Sequence, residues 1–177
     1  MKTTKSKEIK AFHYISDYAK DLLDKIPEEF EVDEKREFKI VTLKELGFTK
    51  DWTETKEFLN NDFLATKGLA LCNPEDVFAV NKSLKKGEYA YVGMNPIPDR
   101  DGDPYVFDVY HNSDGLWLDA SYGGADDRYY DDRRWAFLAS STNALDTQNS
   151  FDTQSLTLEQ AIGTCVMNGY TVTKNIK

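Results

Sequence analysis

Cysteine and histidine are scarce in this chain, and their positions exclude the common metal and disulfide frameworks. The 177 residues include two cysteines, Cys72 and Cys165, and two histidines, His13 and His111, all far apart in sequence. A structural zinc site needs four such ligands at short, paired spacings, so none is predicted. Two isolated cysteines, each within an apolar stretch, also favour a reducing, cytoplasmic location.

Long apolar runs and glycine-rich phosphate loops are absent as well. No stretch approaches the roughly eighteen consecutive apolar residues of a membrane-spanning helix. The basic start, residues 1–7, leads into no apolar stretch, so a secretory signal is not predicted. Neither G-x-x-x-x-G-K-[ST] nor G-x-G-x-x-G occurs, which excludes nucleotide binding through those motifs.

Acidic side chains outnumber basic ones, and most of the excess lies in one part of the chain. The net charge is −9, and residues 95–135 hold ten acidic and four basic side chains, a local net charge of −6. All ten of these acids are aspartate. A surface of this sign repels phosphate backbones and anionic lipid, so direct binding to nucleic acid or a membrane is not expected. A protein with a basic surface is the expected partner.

The hydrophobic periodicity predicts an α+β fold. Its expected form is a twisted antiparallel sheet of about five strands, with two N-terminal helices and one C-terminal helix packed against it. Apolar residues at helical spacing predict helices over 8–26 and 51–64, and a capping-box pattern predicts a short helix over 42–47. Runs rich in β-branched and aromatic residues predict strands over 38–41, 77–80, 89–94, 105–110, 116–120 and 135–138.

The predicted elements divide a single domain of residues 1–177 into four parts. Residues 1–75 are expected to be mainly helical, and residues 76–139 to form the antiparallel sheet. Residues 140–155 are rich in Ser, Thr, Asn and Gln and are predicted to be a polar loop. Residues 156–177 are predicted to form a helix followed by a final strand.

A twelve-residue segment, 123–134, combines side chains that protein interfaces favour. It joins two predicted strands and is longer than a β-turn requires. Its tyrosines offer flat amphipathic contact surface, and its arginines and aspartates offer charged contacts. The predicted protein-binding residues are Asp126, Asp127, Arg128, Tyr129, Tyr130, Asp131 and Asp132. The alternative is a surface loop whose charged side chains pair with one another.

Three carboxylates, Asp99, Asp101 and Asp103, alternate along a short glycine-containing turn. Oxygen ligands at such spacing suit calcium or magnesium. The spacing differs from that of an EF-hand loop, where the glycine follows the third ligand; here the glycine precedes it. The alternative is a hairpin turn in which the aspartates are turn formers. Together with His111, these residues are the candidates for a metal-dependent hydrolase.

No complete catalytic constellation accompanies these residues. His111 lies close in sequence to several aspartates, but no nucleophile-elbow motif is present, so no catalytic residue is predicted. Ten aromatic residues between positions 89 and 135 would suit a sugar-binding platform, in which Trp117 and Trp135 stack on a glycan. Aromatic residues are equally typical of a sheet core.

These observations favour a non-enzymatic, acidic protein-interaction module. A sharper form of this hypothesis is an inhibitor of the kind that mobile elements encode, whose Asp-rich surface occupies the basic surface of a nucleic-acid-binding protein. The alternative is a divalent-metal-binding domain or metal-dependent hydrolase at the Asp99–Asp103 loop. No cofactor is predicted other than the calcium or magnesium ion of that alternative.

Overall fold

Residues 1–33 and 35–140 are described by a computed structural model, and they form an α+β structure. Within these residues there are twelve strands, five short α-helices and one 3₁₀ turn. Eight strands form one mixed sheet, and the other four form two ribbons of two strands each. The predicted antiparallel sheet of about five strands with three helices is therefore wrong, although the class is correct.

The elements are as follows, in chain order. The first six strands are β1 (Lys2–Thr4), β2 (Phe12–Ile15), β3 (Glu29–Glu31), β4 (Phe38–Thr42), β5 (Trp52–Glu54) and β6 (Leu69–Ala70). The other six are β7 (Tyr89–Val92), β8 (Ile97–Pro98), β9 (Pro104–His111), β10 (Leu116–Tyr122), β11 (Arg128–Tyr130) and β12 (Arg134–Ala139). The helices are α1 (Lys5–Ile9), α2 (Asp17–Leu23), α3 (Thr55–Phe58), α4 (Asn61–Thr66) and α5 (Val77–Ser83).

The large sheet has the strand order β2-β10-β9-β7-β12-β4, with β6 paired to β12 and β8 paired to β9. Strand β2 runs parallel to β10, and β7 runs parallel to β12. The remaining pairs in this sheet are antiparallel. The sequential antiparallel arrangement that local patterns indicated is therefore present only in part, in the neighbouring strands β7, β9 and β10.

The predicted helix over 8–26 is interrupted by a strand. Residues Phe12–Ile15 form β2, whose aromatic and β-branched side chains fit a pleated surface beside β10. Helix α2 then begins at its own cap, because the Ser16 hydroxyl accepts a hydrogen bond from the Ala19 amide at 3.1 Å. Strand pairing with a distant part of the chain has overridden the helical spacing.

The predicted helix over 51–64 is wrong for the same reason. Residues Trp52–Glu54 form β5, which pairs with β11, and only the residues after it are helical. Asn60 interrupts the helical part, since its side-chain oxygen accepts the amides of Asp62 and Phe63 at 2.9 and 3.1 Å and caps a second helix, α4.

Two further predictions of secondary structure are wrong. At 42–47 the capping contacts form, with the Thr42 hydroxyl accepting the Glu45 amide at 3.1 Å, but the chain turns back at Gly47, whose φ is +104°. Residues 77–80, predicted as a strand, belong to helix α5, because a short apolar run does not distinguish a buried strand from a buried helix. Residues 1–75 hold six of the twelve strands and are not mainly helical.

Five predicted strands are confirmed as β4, β7, β9, β10 and β12. The predicted turn after His111 is also present, with Gly115 at a φ of +134°. The helix and strand predicted for 156–177, and the loop predicted for 140–155 beyond its first residue, lie outside the described residues.

Helices α2 and α5 contact one face of the large sheet at β9 and β10. Phe107, Val109 and Leu118 are fully buried, and Tyr18 of α2 stacks on Tyr105 of β9 with ring centres 5.2 Å apart. Side chains alternate between the two faces along a strand. The opposite face of the same strands therefore carries the residues between these, among them Asp108, Asp119 and Ser121.

Candidate protein-contact site

The predicted binding residues 126–132 centre on a two-stranded antiparallel ribbon formed by β5 and β11. The paired positions are Arg128 with Glu54, Tyr129 with Thr53 and Tyr130 with Trp52. Because side chains alternate along a strand, the outer side of this ribbon carries one set of residues and the inner side another. We call the outer set, Trp52, Glu54, Arg128 and Tyr130, the ribbon face.

The inner side of the ribbon is anchored to the core by Tyr129. Its ring centre lies 5.0 Å from that of Tyr91 and 4.9 Å from that of Trp135, in edge-to-face arrangements. Its hydroxyl donates a hydrogen bond to the backbone carbonyl of Tyr122. Burial raises the pKa of Tyr129 well above its usual range. Tyr129 therefore anchors the ribbon, and since its side chain is half-buried, its contact role stays a prediction.

The ribbon face presents two aromatic rings to solvent. Trp52 is 38% exposed and Tyr130 is 60% exposed. The guanidinium carbon of Arg128 lies 3.8 Å from the centre of the Trp52 ring, and that of Arg133 lies 5.8 Å from the centre of the Tyr130 ring. Trp, Tyr and Arg are the residue types that contribute most to protein interfaces. Arg128 and Tyr130 were predicted from the sequence, whereas Trp52 was not, because its segment was predicted to be helical.

A small network of ion pairs borders the ribbon face. The Lys56 ammonium lies 2.7 Å from Glu54 and 2.7 Å from Asp126, and Arg128 lies 3.6 Å from Glu54. The Lys56 ammonium holds the pKa values of the Glu54 and Asp126 carboxyl groups below their usual values. These pairs are solvent-exposed, so they orient the side chains and contribute little to stability.

The other predicted acidic residues have different surroundings. The Asp127 carboxylate accepts a hydrogen bond from the backbone amide of residue 124 at 2.6 Å and so closes the turn before β11. Asp132 has a 77% exposed side chain, loosely paired with its neighbouring arginine at 3.9 Å. Asp131 is half-buried. Residues 50–56 and 126–133 together hold six acidic and four basic side chains, a net charge of −2.

The ten aspartates of 95–135 do not form one continuous acidic surface. Asp99 and Asp108 are buried, with 6% and 2% exposure. Asp114 lies in the turn after β9, whereas Asp101 and Asp103 lie before β9, at the opposite end of that strand. The negative character of this segment is therefore divided among several local sites.

The Asp99–Asp103 loop is held by Asp99 itself. One oxygen of its carboxylate accepts the backbone amides of Asp101 and Asp103, both at 2.9 Å. Asp101 and Asp103 are exposed. Among residues 1–33 and 35–140, no group of three or more His, Cys, Asp or Glu side chains is placed to hold a metal ion. Calcium or magnesium binding stays a prediction that no contact in this loop supports.

The His111 side chain makes a hydrogen bond that links two elements of the fold. Its Nδ1 lies 3.0 Å from the backbone carbonyl of Leu84, so this nitrogen carries the proton and donates it. The contact ties the end of β9 to the end of α5. No nucleophile is hydrogen-bonded to His111 in the described part of the chain.

Asp108 was counted among the ten aspartates of 95–135 but was not predicted to be a site residue. In the structure its carboxylate is buried within the large sheet. It lies in the middle of β9, directly opposite Asp119 of β10. The Ser121 hydroxyl donates to its Oδ2 at 2.5 Å, while Oδ1 has no hydrogen-bond partner within the described residues. Burial raises the pKa of Asp108 to about 6; the Asp119 charge adds to this, and the Ser121 and Tyr110 hydroxyls oppose it.

A cleft of about 410 Å³ joins the ribbon to the β9–β10 hairpin. Residues from both sides line it, among them Tyr105, Ser121, Tyr122, Asp127, Arg128 and Tyr129. The cleft therefore reaches from the ribbon face to Ser121, whose hydroxyl holds Asp108.

A larger cavity of about 510 Å³ lies on the other side of the molecule, against α5 and β3. Its two buried carboxylates are already paired. Asp76 lies 2.5 Å from Arg36, and Glu8 lies 2.7 Å from Lys82. Phe30 and Phe78 form an apolar wall, stacked with ring centres 5.4 Å apart. The cavity's two buried carboxylates are therefore already satisfied, and the other acidic groups that line it, Glu31, Asp33 and Glu75, are not buried.

In the part of the chain that the structure describes, no helix is both long and apolar enough to span a membrane. No protein-family model, curated protein or solved structure matches the chain. A functional inference for this chain therefore rests on its own residues.

Proposed function

We propose that this chain is a non-enzymatic protein-interaction module, that the ribbon face is its contact site, and that its partner presents a basic surface. One observation carries the proposal. Trp52, Arg128 and Tyr130 stand together on the exposed side of a two-stranded ribbon whose opposite side is fixed in the aromatic core.

The arrangement of the ribbon face supports a contact role. Directly opposite residues of an antiparallel pair have Cβ atoms about 5 Å apart, so Trp52 and Tyr130 are neighbours on the same side of the ribbon. Arg128 stacks on this surface and is held by Glu54. A partner that covers these side chains therefore loses little entropy in ordering them, which is the advantage of a preorganised contact site.

The charges around the ribbon face support a basic partner. Asp132 is exposed beside Tyr130, and Asp126 is exposed beside Lys56. The whole chain carries −9, so its long-range field attracts a positively charged surface and repels phosphate. A protein whose basic surface binds nucleic acid fits this description, and occupation of that surface would inhibit it. A cytoplasmic location belongs to the same proposal.

The test is a comparison of binding by matched variants. The immobilised chain is used to capture proteins from a lysate of the source cells, and the captured protein is then purified and titrated. We expect the double variant Trp52→Ala, Tyr130→Ala to bind it at least about tenfold more weakly. Tyr14→Ala, which removes another exposed ring (45% exposed) from β2, is the control and should change the affinity less than about twofold.

Equal affinities for the parent chain and the double variant would overturn the proposal. Circular dichroism of each variant separates loss of contact from loss of fold. The ribbon residues substituted are on the exposed side, so the core packing of Tyr129 is expected to persist.

A further inference from the structure

Two carboxylates face each other in the β9–β10 hairpin. Asp108 and Asp119 are directly opposite in the antiparallel pairing and lie on the same face of the sheet. Like charges in such a cross-strand pair destabilise the sheet unless a cation lies between them. No ion pair to either carboxylate occurs among residues 1–33 and 35–140.

The Asp108 carboxylate is also incompletely satisfied. It is 2% exposed, and its Oδ2 accepts a hydrogen bond from Ser121. The Tyr110 hydroxyl is near enough to favour the ionised carboxylate, but no donor lies within hydrogen-bond distance of Oδ1 in the described part of the chain. Buried polar atoms without a partner are rare in folded proteins, and each requires an explanation. A cationic ligand would explain both observations, because it would donate a hydrogen bond to Oδ1 of Asp108 and pair with the facing carboxylate of Asp119.

Aromatic rings surround the two carboxylates. Tyr91 is the residue opposite Asp108 on the other neighbouring strand, β7. Tyr110 lies two residues along β9 on the same face, is 37% exposed and stacks on Tyr89 with ring centres 6.1 Å apart. Carboxylates beside tyrosine rings are the groups that recognise cations, because both the charge and the ring face attract them. Asp119 is half-buried, so Asp119 and Tyr110 form the rim of the site and Asp108 its floor.

We propose that Asp108, Asp119 and Tyr110 form a receptor site for a guanidinium group, supplied by an arginine side chain of the partner protein. This inference rests on the proposed function and names the chemistry that the basic partner brings. A guanidinium is preferred to an ammonium because its planar fork donates to two carboxylates at once and its face stacks on tyrosine.

The site is expected to release protons when it is filled. The titratable groups that face Asp108 are Tyr91 from β7, Tyr110 from β9, Asp119 from β10 and Tyr129 from β11. The guanidinium of Arg133 is the charged group nearest to this set, beside Tyr89 and Tyr91. A bound cation favours the ionised form of Asp108, and the affinity for the probe is therefore expected to rise between pH 5 and pH 8.

The experiment titrates the chain with a short peptide that contains one arginine, and with the same peptide carrying citrulline, its neutral analogue. Chemical shifts of the β9 and β10 amides report binding at the site. We expect the arginine peptide to shift them, the citrulline peptide not to, and Asp108→Asn and Asp119→Asn each to weaken binding at least about tenfold. Asp101→Asn, an exposed aspartate in the loop before β9, is the control and should bind like the parent.

Two results would overturn the inference: equal responses to both peptides, or an arginine response that survives in Asp108→Asn and Asp119→Asn. A third arm uses agmatine, a free guanidino compound. If agmatine binds as tightly as the arginine peptide, the site serves a small molecule and the partner side chain is the wrong source. The two proposals can also fail separately. If the Trp52→Ala, Tyr130→Ala variant loses partner binding and Asp108→Asn does not, this inference is overturned and the proposed function stands.

Discussion

The guanidinium of Arg128 stacks on the ring of Trp52, with its central carbon 3.8 Å from the ring centre. Arg128 is directly opposite Glu54 in the ribbon, so its contact with Trp52 is a diagonal one across the two strands. The pair fixes the orientation of both side chains on the outer side of the ribbon. It is the feature of this surface that an ordinary charged loop would lack.

Replacement of Arg128 separates stability from binding. We expect Arg128→Ala to lower the free energy of unfolding by no more than about 1 kcal/mol, because the cation–π contact is exposed. The same change is expected to weaken partner binding about tenfold, because Trp52 loses the group that orients it. Urea unfolding and a binding titration measure the two effects. Arg128→Lys keeps the charge without the planar stack and should bind with intermediate affinity.

A partner with a basic surface predicts a dependence on salt and on the acids beside the ribbon face. We expect Asp131→Asn, Asp132→Asn to slow association several-fold at low ionic strength, since exposed charges act mainly on the association rate. The difference should nearly vanish at about 1 M salt, where the screening length is about 3 Å. Asp101→Asn is again the control. Association rates that do not change with salt for the parent chain would exclude a basic partner.

The raised pKa of Asp108 predicts that the free energy of unfolding depends on pH. Its pKa in the folded chain is raised to about 6 from an ordinary value of 3.8, so the folded state binds more protons than the unfolded state between these values. The contribution of Asp108 to stability is therefore greatest below about pH 4 and is lost as the pH rises through about 6. A difference of about two pKa units corresponds to about 3 kcal/mol lost at neutral pH.

Asp108→Asn removes this ionisation. We expect the variant to be more stable than the parent by about 2 to 3 kcal/mol at pH 7.5 and equal to it near pH 4, as measured by urea unfolding at both values. Asp101→Asn should follow the parent at both. A variant that is less stable than the parent at pH 7.5 would mean that the Asp108 carboxylate already has a cationic partner in the folded chain.

A substitution at Gly93 tests how closely the buried aromatic residues pack in the large sheet. A Cβ atom at this position would overlap the ring of Phe137, which is fully buried, so neither the backbone nor the ring has room to move. We expect Gly93→Ala to cost about 2 to 3 kcal/mol and to change the near-ultraviolet circular dichroism of the aromatic core. Gly87→Ala is the control. It meets nothing within 4 Å but has a φ of +89°, so it should cost about 1 to 2 kcal/mol and leave the aromatic signal unchanged.

The strands that sequence patterns predicted are those whose own residues are strongly typical of strands. Strands β9 and β10 form a hairpin around a short turn with Gly115, and each carries the aromatic and β-branched residues typical of a pleated sheet. Strands β4 and β12 were also predicted, although they pair with each other from distant parts of the chain. The patterns failed where apolar residues at helical spacing covered a strand. Strand β2 contacts β10 and strand β5 contacts β11, and in each case pairing with a remote segment displaced the helix that local spacing indicated.

In the candidate site, residues marked by local composition were predicted, and residues placed by distant strand pairing were not. Arg128 and Tyr130 were predicted because one short segment combines Tyr, Arg and Asp. Trp52 was not, because its place beside Tyr130 depends on the ribbon pairing. The environment of Asp108 was equally hidden, since nothing local shows which residue stands opposite it in the sheet. One signal was present: an aspartate in the middle of the apolar strand Tyr105–Tyr110 breaks the pattern of a core strand.

The most direct test of the ribbon face as a contact site is photo-cross-linking from within it. A photoreactive phenylalanine analogue placed at Tyr130, which is 60% exposed, should cross-link a partner in a lysate of the source cells, and Arg128→Ala in the same chain should reduce the yield. The same analogue at Tyr14, which is 45% exposed, should give no specific product. Equal cross-linking from both positions, or none from position 130, would contradict the assignment of this surface.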